Sequence, residues 1–515
     1  MFRRFLALAI ACAWLAGCGG QSSAPLFSVP QASQLDLHRG VSPTGNSGEL
    51  PEPPVVRSVN GVARVSLSVT YRLETQLPQF VFGGMSDTAP TIRVNPGDTI
   101  VLDVTDELPQ REGDKFDINI HFHGLGASPR APADDVLGTL ARPGQALHYV
   151  VHVPQNQEPG LYWYHPHVHG ETNYQVGEAG MSGAIVVNGL ERHLPGLAKM
   201  KTHVIIVRDN VVGNAAQSRG AIVQPQVINS DPCGPEFGGE TTLNDAYEPV
   251  ITIAPGEKQF FRVINATGHK TLKLAVDGSN LEVVAIDGFP LDTWRATPPT
   301  LTESAAIVPP ASRVEFVVTG PRSPRAKFWT LCYDSGPAGD RDPKLELASL
   351  KPPTSRPSLK FQAPELLRAA AALPQNVYTS QLPPVAAHRV VVFSEGNKHF
   401  FINHKAFSMS DPPMFVVHTG TVEEWLVKNI TGEVHDFHIH QVHFLVREIN
   451  SIKVPHPYWA DSFIIPHRQS NGKAGTLLML MDFRDPIIKG TFLFHCHILD
   501  HEDHGMMAKI QAIDL

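Results

Sequence analysis

A chain of 515 residues, 42 % apolar and 18 % charged, is long enough for about three ordinary domains and too apolar for an intrinsically disordered protein. Its net charge of −8 leaves no basic surface to hold a phosphate backbone, which argues against nucleic-acid binding. Forty-four prolines and 41 glycines suit many short strands joined by turns.

Residues 1–17 read as a signal peptide of lipoprotein type and are set aside from the fold. Met1-Phe2-Arg3-Arg4 is a charged start, and the apolar run from Phe5 to Ala16 is too short to span a bilayer. It ends in Leu15-Ala16-Gly17-Cys18, which resembles a bacterial lipoprotein box with Cys18 as the lipidated residue. A plain secretory signal cut near Ala16 is the alternative. Residues 18–50, rich in Ser, Gln, Gly and Pro, read as a tether. The expected location is the periplasm or cell surface, with membrane contact only through a lipid on Cys18, in the outer membrane.

Beyond the tether one strand pattern recurs three times. Pro96-Gly97-Asp98 opens TIVLDVTDEL, Pro255-Gly256-Glu257 opens KQFFRVINAT, and Thr419-Gly420-Thr421 opens VEEWLVKNIT. Each is a turn followed by the alternation of a half-buried strand. A second strand follows in each unit, at 118–124, 271–278 and 434–441, and an aromatic one later, at 162–167, 328–333 and 492–497. The best helical stretch, Glu365 to Leu373, sits in a Pro-rich linker. The expected fold is all-β, three tandem Greek-key β-sandwiches at 51–190, 191–360 and 361–515. The first and third units carry histidines on both later strands, whereas the second has Leu331 and Tyr333 in their place. The middle unit is expected to keep the fold without a metal site.

Four histidine clusters carry the chemistry: His121 and His123; His165 and His167; His435, His438 and His440; and His495, Cys496 and His497, with His501 and Met506 beyond. One such pair among 25 histidines is weak evidence, but four at matching strand positions of two related units are not. On a strand, His495 and His497 share one face while Cys496 points to the other. Metals held on the two faces are thus joined through bonded atoms over a path on the order of ten Å. His435, Cys496, His501 and Met506 make the His₂Cys set with a weak axial Met of a blue-copper site. Zinc competes for Cys and His, but a structural zinc site has no need of ten histidines.

These residues resemble the multicopper oxidase family in its three-domain, laccase-like branch, from about Arg57 to Leu515. The resemblance implies cupredoxin-like domains and four copper ions, one of type 1, one of type 2 and two of type 3. It assigns His435, Cys496, His501 and Met506 to type 1 and His121 and His438 to type 2. His123, His165, His167, His440, His495 and His497 go to the type 3 pair, between the first and third units. Two positions depart from the family's usual pattern: Asp436 stands where Pro is usual, and Gln441 where Gly is frequent. Neither is a ligand position. His169, His443 and His504 match no ligand position and are expected to be ordinary polar or surface residues.

Reducing O₂ to water consumes protons, so a nearby acid is needed. By resemblance this is Glu502, with Asp134 or Asp135 beside the type 2 copper. Cys332 occupies the place of Cys496 in the second unit without flanking histidines, and a disulfide with Cys233 is expected. The implied activity is one-electron oxidation of phenolic or aromatic donors coupled to four-electron reduction of O₂. The alternatives are a metal oxidase for Cu(I), Fe(II) or Mn(II), and outside enzymes a copper store or a metal-free cupredoxin scaffold. The ten methionines are scattered, with Met409/Met414 and Met479/Met481 near one another, which disfavours a dedicated Cu(I) site.

Overall fold

The computed structural model describes residues 48–73, 75–86, 89–109, 117–210, 240–291, 300–354, 382–396 and 399–515. Cys18, Cys233 and the helical stretch at 365–373 lie outside them. The described residues form six sheets with only short helical turns between them. No helix among them is long and apolar enough to cross a membrane.

The sheets pair into three sandwiches, each closed on its own apolar core. The recurring sequence is a recurring topology. In each unit the strand after the turn (Thr99–Asp106, Lys258–Asn265, Thr421–Asn429) runs parallel to the strand before it (Val62–Tyr71, Lys201–Asn210, Val385–Gly396). The turn glycines Gly97, Gly256 and Gly420 all have φ near +80° (88°, 78° and 83°), a conformation that strongly favours glycine. In the opposite sheet the two chemistry-bearing strands are antiparallel neighbours: His121–His123 beside Gly160–His165, Leu272–Val276 beside Lys327–Thr330, and His435–Ile439 beside Gly490–Cys496.

One strand differs from its half-buried expectation. Lys258–Asn265 is buried on both faces, while Thr421–Asn429 alternates. The cause is interdomain packing. Ile206, Ile264 and Ala266 of the middle sandwich meet Leu161, Trp163 and Val186 of the first, and Phe260 packs under Leu190, Leu194 and Leu197. The middle unit is therefore held firmly against the first. Gly48–Leu50, placed in the tether, also touches it: Leu50 is buried in the middle core and its N–H donates to the Val250 carbonyl.

Candidate metal centre

Register brings the histidines together. His121 lies opposite His165 in the first sandwich, and His438 opposite His495 in the third. The two sheets meet so that eight imidazoles, His121, His123, His165, His167, His438, His440, His495 and His497, form one buried cluster. His121 stacks on His440 at 3.8 Å and His123 on His438 at 3.9 Å, each pair crossing from the first sandwich to the third.

Several rings are held by one nitrogen and offer the other. The Nδ1–H of His165 donates to the Pro166 carbonyl (2.8 Å), that of His438 to Asp461 O (2.8 Å), and that of His495 to Cys496 O (3.0 Å). His121 Nδ1 lies 3.0 Å from Asp134 Oδ2, and His123 Nε2 lies 3.1 Å from Asp461 Oδ1. The opposite nitrogens, Nε2 of His121, His165 and His438 and Nδ1 of His123, are buried without a hydrogen-bond partner, as are both ring nitrogens of His497. The Nε2 atoms of His167 and His440 each lie 3.2 Å from Nε2 of His495. Burial pulls the pKa of His121, His123, His165, His167, His438, His440 and His497 below the usual imidazole value, so the neutral ring, the ligating form, is favoured there. Orphaned lone pairs packed this closely are costly unless a cation sits among them. This donor set fits metal ions.

A second group lies one residue away. Cys496 Sγ is 3.7 Å from His435 Nδ1 and from His501 Nδ1, and those nitrogens are 3.1 Å apart. Met506 is fully buried, and its carbonyl accepts from the Cys496 N–H. Thr431 Oγ1 holds His435 at Nε2 (3.1 Å), and Phe400 stacks on His501 at 4.0 Å. Thiolate with two imidazoles suits copper.

The acids separate. Asp134 is buried, bonds the Phe122 N–H as well as His121, and accepts from Gln441 Nε2; burial pushes its carboxyl up to about 7. Asp135 turns away and accepts the Gly138 N–H in a loop. Glu502 is fully buried, its oxygens 3.2 Å from His495 Nδ1 and 3.5 Å from His167 Nε2. His169 packs on Phe407, His443 lies 3.2 Å from Asp461, and His504 bonds the Asp500 carbonyl, so none of the three joins the cluster. Cys332 is disulfide-bonded, with its expected partner outside the described residues, and Cys496 is the free cysteine among those described.

Sequence reasoning missed Asp461, Asp287 and Arg313. Asp461 bonds His123 through its carboxylate and His438 through its carbonyl, and Arg313 of the middle sandwich grips that carboxylate with both terminal nitrogens. Asp287 accepts the N–H groups of Arg313, Asp461 and Ser462. Each is a lone residue with no local motif to mark it.

Models of the multicopper oxidase family match residues 73–192, 162–351 and 381–514. A laccase of Bacillus subtilis is 23 % identical over 502 residues, covering 86 % of this chain and 93 % of that protein. The multicopper oxidase mco of Staphylococcus haemolyticus is 23 % identical, covering 82 % of this chain and 81 % of its own length. Among solved structures, the Campylobacter jejuni multicopper oxidase, described as a metallo-oxidase, superposes with a TM-score of 0.70 at 22 % identity, covering 91 % of this chain and 96 % of its own. The laccase-like CueO of Ochrobactrum gives 0.67 at 21 %, covering 90 % and 100 %. The matched segments fall on the three sandwiches, of which the first and third build the histidine cluster, and this chain belongs to the multicopper oxidase family.

Proposed function

We propose a laccase-like enzyme that takes single electrons from phenolic or aromatic donors at one copper and couples four of them to reduction of O₂ to water at three others. The observation that carries this reading is the buried cluster of eight imidazoles, several of them with an orphaned ring nitrogen, and the family resemblance supports sorting it into three groups. Nε2 of His121 and His438 suit the type 2 ion. Nδ1 of His123 and Nε2 of His165, with His497, suit one type 3 ion; His167, His440 and His495 suit the other. His435, Cys496 and His501 suit type 1, with the buried Met506 as the weak axial ligand that the resemblance implies.

Bound copper would supply one-electron transfer at Cys496 and O₂ reduction at the histidine cluster. The chain supplies the rest. His495 and His497 flank Cys496, so its thiolate is joined to both type 3 groups through bonded atoms. Glu502 stands beside His167 and His495, buried and within reach to hold a proton at Oε2. Asp134 stands on the His121 side. There a small cleft between the first and third sandwiches, lined by Gly126, Gln157, Gln441 and Asp485, reaches it through the Gln441 amide. Burial of every ligand keeps bulk water from the reacting centre.

A second reading, a metal-ion oxidase, rests on Glu433. Its carboxylate lies 3.6 Å from His501 Nε2, and burial together with neighbouring Glu395 lifts its carboxyl to about 10. A buried carboxyl held neutral in this way could ionise beside a cation. The methionines give no comparable support for Cu(I), since Met479 and Met481 are core residues.

We also read Cys18 as a lipid anchor for an exported enzyme, and Cys18→Ser is expected to move it from the membrane to the soluble fraction. The function itself is tested by copper content, colour and oxygen uptake. The purified enzyme should be blue, hold about four coppers per chain and consume O₂ with a phenolic donor. Cys496→Ser should lose the blue band and keep about three coppers, because the thiolate is the source of the colour. A variant that stays blue would remove Cys496 from the site.

A further inference from the structure

The backbone N–H of Asp436 points at the sulfur of Cys496, with N···Sγ at 3.4 Å. The direction follows from the sheet. Asp436 lies on the strand His435–Ile439, and its carbonyl accepts the His497 N–H (2.8 Å). In a strand the N–H and C=O of one residue face the same neighbour, so this N–H also faces the Cys496 strand. That strand ends at Cys496, and the N–H meets the side-chain sulfur instead of a carbonyl. The Ile498 N–H also hydrogen-bonds this sulfur. Cys496 is fully buried among Phe437, Phe494 and Met506, so no water competes for it. In such surroundings a hydrogen bond is electrostatically stronger than in water.

Proline, usual at this position in the family, has no N–H to give. We propose that Asp436 tunes the type 1 site through its backbone: its N–H, donated to the Cys496 thiolate, raises the reduction potential above what a proline there would permit. The inference rests on the copper reading above. Its cause is electrostatic. Adding an electron to the site increases negative charge on the sulfur, so a donor aimed at that sulfur stabilises the reduced state more than the oxidised one. Hydrogen bonding around a ligating cysteine is a recognised lever on the potential of such sites. Asp436 holds no metal and is a positioning residue that acts through Cys496.

The test compares Asp436→Ala with Asp436→Pro. Both remove the carboxyl, and only Pro removes the N–H. Each variant is loaded with copper, titrated against one-electron mediators and recorded in the visible range. The Pro variant should be reduced less readily than the Ala variant, with an equilibrium constant lower by about tenfold, or 59 mV for a one-electron couple. Its blue band should move to longer wavelength, because the sulfur orbital rises in energy. Equal potentials and band positions in the two variants overturn the proposal. If the Pro variant does not fold, the wild-type enzyme decides: produced in D₂O, it should show shifted copper–sulfur vibrations in resonance Raman spectra, and unshifted modes overturn the proposal. A wild-type protein that binds copper without a blue band would instead overturn the type 1 assignment itself, so the two failures are distinct.

Discussion

Arg313 and Asp461 belong to different sandwiches and meet as a fully buried bidentate pair, Nη1 to Oδ1 at 2.7 Å and Nη2 to Oδ2 at 2.6 Å. Burial would raise the Asp461 carboxyl, but Arg313 and His123 hold it well below the usual carboxylate range. Burial likewise opposes the guanidinium charge, and Asp461 and Asp287 more than offset this. The middle unit, which carries none of the histidine clusters, thus reaches the metal centre through Asp461: Arg313 grips its carboxylate, Asp287 accepts its N–H, and Asp461 in turn fixes His123 and His438.

Cutting that link should have two effects. Arg313→Met leaves Asp461 charged and unpaired, a loss of about 3–5 kcal/mol for a broken buried pair. It also frees His123, so copper per chain should fall below four while the blue band persists, since no type 1 ligand touches Asp461. Arg313→Lys keeps the charge without the fork and should fall between. Thermal unfolding and metal analysis report both, and a Met variant that melts like the parent with four coppers would show the pair to be dispensable.

Glu502→Gln keeps the shape of the buried acid and removes its ability to take up and release a proton. Copper content and colour should stay near normal while turnover drops about 10²-fold, the low end for losing a positioned acid. Unchanged turnover across pH would assign proton delivery elsewhere, with Asp134 the next to replace.

The histidines were legible because strand geometry makes their spacing meaningful. His495 and His497 must share a face, and the repeat placed each cluster on an equivalent strand; register sets His121 opposite His165 and His438 opposite His495. Arg313 and Asp461 were not legible, since 148 residues separate them and neither sits in a periodic pattern. The two-sided burial of Lys258–Asn265 was hidden for a related reason: what covers its outer face is another domain, which strand alternation cannot report. Asp436 and Gln441 were visible as departures from the family pattern. Their contacts, with a sulfur and with Asp134, needed the fold.

Asp342 offers a pH test away from the coppers. Burial holds its carboxyl well above the ordinary value, with partial relief from the Thr271 N–H. The native state therefore binds this proton more tightly than the unfolded chain does. The stability it contributes is complete below the unfolded pKa and is lost as pH rises toward the native one. Asp342→Asn should remove that loss, melting higher than wild type at neutral pH with the gap closing in acid. A gap that widens in acid would reverse the assigned sign.

The two donor readings meet at His501, whose outer nitrogen faces Glu433 and whose ring lies under Phe400. An aromatic donor needs the apolar ring, and a metal ion needs the carboxylates. Methoxylated phenols should react faster than phenol, because their radicals are more accessible and a Met-ligated type 1 site has modest oxidising power. Glu433→Gln separates the readings. It should leave kcat/KM for a methoxyphenol within about threefold, whereas a metal-ion site that loses a charged ligand should weaken by about 10²-fold for Fe(II), near 2.7 kcal/mol. Measured under one set of conditions, an Fe(II) preference above a hundredfold in the wild type, abolished by Glu433→Gln, would replace the laccase-like assignment with a metal oxidase. A methoxyphenol preference that survives the substitution leaves the laccase-like assignment standing and makes Glu433 a bystander.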